Sequence, residues 1–194
     1  MNDKIKESKK VVYTVGHSNI QVSEFFSLIK AFKIEVVVDV RSWPYSKYAT
    51  QFNKDEIHKF LSVNNITYLY MGNLVGGKPQ EREFYDNEGY VTYDRLADSA
   101  SFQAGISRLI KGIDLYRIVL MCSEEDPANC HRRLLIGRVL KEQGIEVLHI
   151  RKESIVQSEK DMAGIQFQPD LFGKQDVPLW RSSKPVLYKN KEIG

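Results

Sequence analysis

The sequence predicts an α/β protein: a mainly parallel, Rossmann-like, three-layer sheet of about five strands with helices on both faces. Three observations carry this. β-Branched or apolar runs (VVYTV, EVVVDVR, RIVLMC) alternate with stretches of helical period, which is the pattern of strand–helix–strand units. Glycine and proline separate the runs, at Gly16, Pro44 and Gly144. The length of 194 residues suits one domain able to bury a core without disulfides or metals.

Val11 to Val15 reads as a short buried strand, turned by Gly16-His17-Ser18. Ser23 is placed to cap a helix carrying Phe25, Phe26, Leu28, Ile29 and Phe32. Glu35 to Arg41 is the second strand. Trp43-Pro44 breaks it, because proline has no N–H to donate and disfavours helix in the residue before it. Asn53 is placed to cap a helix over KDEIHKFLSV, and Ile66 to Met71 is strand-like. A polar loop with Gly76-Gly77-Lys78-Pro79 runs from Gly72 to about Tyr90. Two helical stretches follow across Tyr93 to Ile113, then a strong strand from Arg117 to Cys122 and a loop from Ser123 to Asn129. His131 to Gln143 reads as a helix ended by Gly144, and Ile145 to Ile150 as the fifth strand. Right-handed crossovers follow from strand twist. The expected layout is a polar tail over 1–10, a domain over 11–150, and an arm or partly ordered tail over 151–194. That last stretch holds three of the six prolines.

Composition excludes several classes. Apolar residues make up 42% and charged residues 27%, as in an ordinary globular protein. A net charge of +3 is too mild to argue nucleic-acid binding by itself. MNDKIKESKK lacks the apolar core of a secretory signal, and no apolar run approaches a membrane span. Two cysteines make no disulfide framework, so free thiols in a reducing cytoplasm are expected.

Open α/β sheets bind ligands beyond the carboxyl ends of their strands. Unusual residues fall there repeatedly: His17 and Ser18 after strand one, Asp39 and Arg41 at the end of strand two, Gly76 and Gly77 after strand three, and Cys122 and Glu124 at strand four. Cys130, His131 and Arg132 open the next helix. A parallel sheet gathers all of them on one rim.

Each group also has a plainer reading. Cys122 fits a small buried residue, and Cys130 a plain helix-start residue. Asp126-Pro127 fits a cap with proline at N1, which makes Glu124-Glu125-Asp126 partly a capping feature. Arg41 either grips an anion or pairs with Asp39 in the interior. His17 fits a hydrogen-bonded loop histidine. Trp43, Tyr68 and Tyr70 stack on a base or simply pack. Cys122, Cys130, His131 and His17 are possible soft ligands, yet seven residues part the cysteines and no second pair exists, so the expectation is no metal. Neither a P-loop nor GxGxxG is present, and no dinucleotide cofactor is expected.

The motif set resembles the family catalogued as domain of unknown function 488. Its marks stand here as Gly16-His17-Ser18, Asp39-Val40-Arg41 with Pro44 and Ser46-Lys47, Gly76-Gly77 preceded by Val75 in place of leucine, Cys122-Ser123-Glu124, and Cys130-His131-Arg132. The resemblance spans about residues 11–150 and implies an α/β fold without an assigned activity. A fainter likeness in layout is to rhodanese-type sulfurtransferases, though the 123–129 loop is longer, acidic and glycine-free.

The leading expectation is an enzyme acting on a phosphate-bearing or other anionic substrate, with a nucleotide or nucleic acid as candidate partners and no membrane. His17, Ser18, Arg41, Lys47, Gly76, Gly77 and Arg132 would bind it. Cys122, Glu124, Cys130 and His131 would be catalytic, with Cys130 the nucleophile or redox group and Glu124 or His131 moving a proton. A non-catalytic ligand- or nucleic-acid-binding module and a thiol redox or sulfur-transfer protein are the competing readings.

Overall fold

The computed structural model describes residues 10–163 and 180–186. The expected tail over 1–10 falls outside these except for Lys10, as does most of the arm beyond Ala163. One sheet has the strand order β3-β2-β4-β1-β5-β6. Its strands are β1 (Val11–Gly16), β2 (Val36–Asp39), β3 (Thr67–Tyr70), β4 (Ile118–Cys122), β5 (Glu146–Ile150) and β6 (Val156–Ser158). The first five pair in parallel, and β6 runs antiparallel to β5. Among the described residues the sheet thus has six strands, where the sequence suggested five. VQS has no apolar run to mark it, and β6 pairs only along one edge.

Alternation along the strands sorts side chains into two cores. Tyr13, Val15, Val37, Val119 and Met121 face α1 (Val22–Ala31) and α2 (Lys54–Val63). Val12, Val36, Val38, Leu120 and Cys122 face the other layer. That layer holds α3 (Gly72–Val75), α4 (Tyr93–Asp98), α5 (Ala100–Ile113) and α6 (Arg138–Glu142). A π-helical turn over Arg132–Gly137 leads into α6. The helix expected from His131 is there, but its first part is wound wider than α. A short α7 (Glu159–Ala163) follows β6. Among the described residues no helix is long and apolar enough to cross a membrane.

Two expected caps are placed differently. Helix α1 starts at Val22 after Gln21, so Ser23 lies inside its first turn. Asn53 does precede α2, yet its Oδ1 accepts from the Ser46 backbone at 2.7 Å and so ties down the loop after β2.

The topology positions the site. From β1 the chain crosses by α1 on one face, and from β4 it crosses by α6 on the other. β1 and β4 are neighbours, with Gly16 opposite Cys122. Their outgoing chains therefore lead to helices on opposite faces, and adjacent strand ends of this kind form the topological switch point at which open α/β sheets bind ligands.

Leu120 is fully buried in the middle of the sheet. Leu120→Ala should cost about 2–5 kcal/mol in urea denaturation. Leu115→Ala, at an exposed position, should stay within about 0.5 kcal/mol of the parent.

Candidate functional site

At the carboxyl rim the side chains form two groups on opposite faces of the sheet. On the α1/α2 face lie Asp39, Arg41 and His17. Arg41 Nε donates to Asp39 Oδ1 at 2.9 Å and Nη2 to Oδ2 at 2.6 Å. Nη2 also donates to the Phe52 carbonyl, and Nη1 to His17 Nε2 at 3.0 Å. Tyr68 Oη donates to Asp39 Oδ2 at 2.7 Å. Asp39 and Arg41 are almost fully buried, and this bidentate pair is what keeps both charges tolerable there. Of the two readings of Arg41, the geometry matches the pairing one.

His17 is locked between Arg41 and its own neighbour. Its Nδ1 sits 2.7 Å from the Ser18 carbonyl, so Nδ1 must donate. Its Nε2 faces a guanidinium, so Nε2 must accept. That is a neutral imidazole. Burial first, then the charge of Arg41, lowers its pKa to about 4. The ring also stacks on Phe52, 4.2 Å between centroids.

On the α5/α6 face the reactive groups converge. Cys122 Sγ donates to Glu124 Oε2 at 2.9 Å, and Cys130 Sγ to the same oxygen at 3.4 Å. His131 Nδ1 lies 3.7 Å from Cys122 Sγ and 3.9 Å from Cys130 Sγ. His131 Nε2 lies 2.9 Å from the Val40 carbonyl, so Nε2 carries a proton and Nδ1 is turned on the sulfurs. The ligand atoms of Cys122, Cys130 and His131 all lie within 4.8 Å of one another. Both cysteines are free and buried, His131 is half-buried and Glu124 reaches the surface.

Charges in this group act on each other. Burial raises the Glu124 carboxyl, but hydrogen bonds led by that from Cys122 outweigh it and hold the pKa at about 2. Burial, with the neighbouring Cys130 and Glu124, pushes the Cys122 thiol up. Burial opposes ionisation of Cys130 too, yet the Cys122 thiol and His131 bring it below the ordinary value. His131 is raised against its burial by Cys130 and Glu124.

The seven residues between the cysteines fold back as a single turn. Asp126 caps it by accepting from the Ala128 backbone at 3.0 Å, with Pro127 next in line. Arg151 grips Glu125 through Nε and Nη2, at 2.9 and 2.8 Å, and reaches Asp126 at 3.3 Å. Of the three acids, Glu124 alone contacts the sulfurs.

Arg132 holds that loop from beneath. It is fully buried. Nη1 donates to the Glu124 carbonyl, Nη2 to the Glu125 carbonyl at 2.7 Å and Nε to Thr14 Oγ1 at 3.3 Å. It was expected to bind substrate charge; here it acts on the site through the backbone of Glu124. Two glycines make the close approaches. A Cβ on Gly16 would lie 1.8 Å from the Glu124 carbonyl oxygen, and one on Gly77 would lie 2.5 Å from His131 Cγ. Gly76 is buried against Ser42, whose Oγ accepts from the Lys78 backbone at 2.9 Å. Ser18 and Lys47 are exposed at the same rim.

Thr14 and Arg151 were not singled out from sequence, and Gly16 was read as part of a turn rather than as the place where the loop after β4 comes close. Thr14 and Arg151 lie on or beside strands whose facing is visible only once the order is known. Open depressions of about 380 and 370 Å³ lie at the opposite, amino end of β2 and β3, around Lys33 and Asn64 and around His58 and Thr67. Neither gathers groups like those above, so chemistry rather than concavity locates the candidate site.

A family model described as domain of unknown function DUF488 matches residues 21–139. The chain belongs to the DUF488 family. The DUF488 match includes Arg41, Gly76, Gly77 and the whole Cys122–Arg132 stretch, whereas β1, His17 and β5 lie outside it. No curated protein and no solved structure matches the chain.

Two outcomes follow from the α1/α2 face. Asp39→Ala leaves a buried guanidinium without its carboxylate and should cost about 3–5 kcal/mol in chemical denaturation. The second concerns pH. Unfolded His17 takes up a proton near pH 6.5, and the folded chain resists until about pH 4. Its stabilising effect is therefore complete above 6.5 and lost as pH falls through that window, up to about 3 kcal/mol. The melting temperature of the parent should fall more steeply from pH 6.5 to 4 than that of His17→Gln, which keeps an acceptor for Arg41 without a titrating ring.

Proposed function

We propose that this DUF488 protein is an enzyme that acts on a nucleotide or a short stretch of single-stranded nucleic acid, with its chemistry at Cys122, Glu124, Cys130 and His131. The observation that supports this is the surface next to the cluster. The loop after β2 presents Trp43 at 74% and Tyr48 at 88% exposure, with Tyr45 beside Trp43 at 5.6 Å between ring centroids. Aromatic rings left in water on an ordered loop are not explained by packing. The loop is held by Ser46 to Asn53, by Lys54 N–H to the Pro44 carbonyl, and by Ser42 to Lys78. Lys47 lies between Tyr45 and Tyr48 in sequence, and Lys54 sits over the Tyr70 ring at 4.7 Å.

Flat rings alternating with lysines suit stacked bases joined by phosphates. The same loop begins at Val40, whose carbonyl holds His131, and Trp43 follows three residues later, which supports placing a stacked base on the side of the reactive groups. In this reading Lys47, Lys54 and Lys78 meet phosphate, Ser18, Gly76 and Gly77 line the approach, and Glu124 moves the proton. Arg41 and Arg132 shape the site from within. A second reading, thiol redox or sulfur-transfer chemistry, is favoured by one observation: the two free sulfurs lie within 4.8 Å. An internal disulfide formed by mild oxidant, together with no nucleotide binding, would favour that alternative.

Quenching of tryptophan fluorescence by a short single-stranded oligonucleotide, and separately by a mononucleotide, tests the first reading. Stacking on one ring is worth about 1–3 kcal/mol per base. Trp43→Ala or Tyr48→Ala should thus weaken oligonucleotide binding by roughly 5- to 150-fold, the alanine variant of Trp43 being followed by anisotropy. Three lysine contacts should give a salt slope of about −2. Unchanged affinity in both variants, or no binding by the parent, would overturn the reading.

A further inference from the structure

We propose that Cys122, Cys130 and His131, closed by Glu124, form a binding site for a zinc-class divalent metal ion. The site goes beyond the functional reading above and does not depend on which substrate is bound.

The donor geometry supports this. Zinc is bound by thiolate at ~2.3 Å and by imidazole or carboxylate at ~2.0 Å, almost always tetrahedrally in closed sites, which puts neighbouring donor atoms roughly 3.3–3.8 Å apart. Here His131 Nδ1 lies 3.7 and 3.9 Å from the two sulfurs, and Glu124 Oε2 lies 2.9 and 3.4 Å from them. Two thiols and one imidazole nitrogen therefore already stand within 4.8 Å of one another, with Glu124 Oε2 against both sulfurs through hydrogen bonds that metal bonds would replace. Two thiolates, an imidazole and a carboxylate favour zinc over magnesium or calcium, which prefer oxygen donors alone.

The second support is independent of those distances. A ligating histidine donates its other ring N–H to a carbonyl or carboxylate, which fixes the tautomer and aims the lone pair. His131 has this arrangement, with Nε2–H on the Val40 carbonyl and Nδ1 turned inward. The rest of the frame is set from three directions. Cys122 ends a central strand, Cys130 follows the capped turn, and Gly77 packs so closely on His131 that a Cβ there would lie 2.5 Å from its Cγ. Such a frame holds its donors in place before any ion arrives.

Charge and protons balance. Binding a divalent ion converts two thiols to thiolates and releases two protons. With the Glu124 carboxylate and neutral His131, the loaded site carries one net negative charge. The buried Arg132 guanidinium, bonded to the Glu124 carbonyl, lies beside it to offset that charge. Because protons leave, affinity must weaken as pH falls. Glu124 is the most exposed of the four donors, so it is the ligand that water or substrate displaces.

The spacing argument in the sequence counted against a metal because seven residues part the cysteines. The capped turn over Pro127–Asn129 removes that objection by bringing the two sulfurs within 4.8 Å.

The test uses the untagged full chain, purified under reducing conditions without chelator, and reads metal content by mass spectrometry of the elements. About one zinc per chain is expected. Chain stripped by a chelator should take up cobalt with a thiolate-to-cobalt charge-transfer band, and Cys122→Ser, Cys130→Ser and His131→Ala should each abolish the band. Glu124→Gln should keep the band but bind more weakly. Should a cysteine variant fail to fold, the parent alone decides: thiol labelling of the stripped chain should be suppressed by added zinc and restored by chelator. Chain that neither carries zinc nor takes up cobalt, or thiols labelled equally with and without zinc, would overturn the site. Oligonucleotide binding is read separately. Loss of metal with retained binding leaves the functional reading standing, and loss of binding in Trp43→Ala with full metal content leaves the metal site standing.

Discussion

The geometry of the rim depends on one buried cation. Taking a guanidinium out of water costs several kcal/mol unless its N–H groups find acceptors. Arg132 finds them in the hydroxyl of Thr14 and the carbonyls of Glu124 and Glu125. Two of those acceptors belong to the loop leaving β4 and one to β1, so satisfying the cation fixes the loop to the neighbouring strand. Only a glycine at position 16 lets the loop come close enough. The Glu124 carboxylate then has little choice of direction and meets the two sulfurs. A charge that never touches solvent thus sets the orientation of one that does.

The same logic divides the positive groups of the molecule into two kinds. Arg41, Arg132 and Arg151 each bridge segments that the chain brings together late, and their donors are engaged by carboxylates, carbonyls or His17. Lys47 and Lys78 near the rim stay in water. Inner guanidiniums shape and outer ammoniums remain available, a division that suits the planar fork of arginine and the flexible stem of lysine. A similar inner network runs from Thr14 through His149 to Glu159 and Arg133, at 2.7, 2.9 and 2.9 Å. It fastens α7 to the sheet, so part of the segment beyond Ile150 is integrated with the domain.

Much of the architecture was readable from sequence because strands covered on both sides advertise themselves as unbroken β-branched runs: Val36 to Val38 and Ile118 to Met121 have no other sensible place. β6 was not readable, since an edge strand of VQS needs no apolar pattern. The residues of the rim could be gathered from the rule that parallel strands end together. What one-dimensional reading lacked was facing. Asp39 and Arg41 point to the α1/α2 layer and Cys122 to the other, a division that follows from residue parity only after the strand order is known. Likewise the distance between Cys122 and Cys130 depends on a turn capped by Asp126, and Trp43 is distinguished from Tyr68 only by exposure: one stands in water, the other bonds to Asp39.

The strand order also bears on how the chain is made. Among the described strands β1 is made before the others, yet both of its partners, β4 and β5, come more than a hundred residues later. Through most of synthesis VVYTVG has no neighbour to pair with, while β2, α2 and β3 form a local unit. Parallel pairings across such separations are slow, because loop closure must precede the contacts that reward it. An unpaired apolar strand held open that long is a liability during growth. The central position that lets β1 carry Thr14 and Gly16 under the rim therefore means that VVYTVG can take its place only after β4 and β5 have been made.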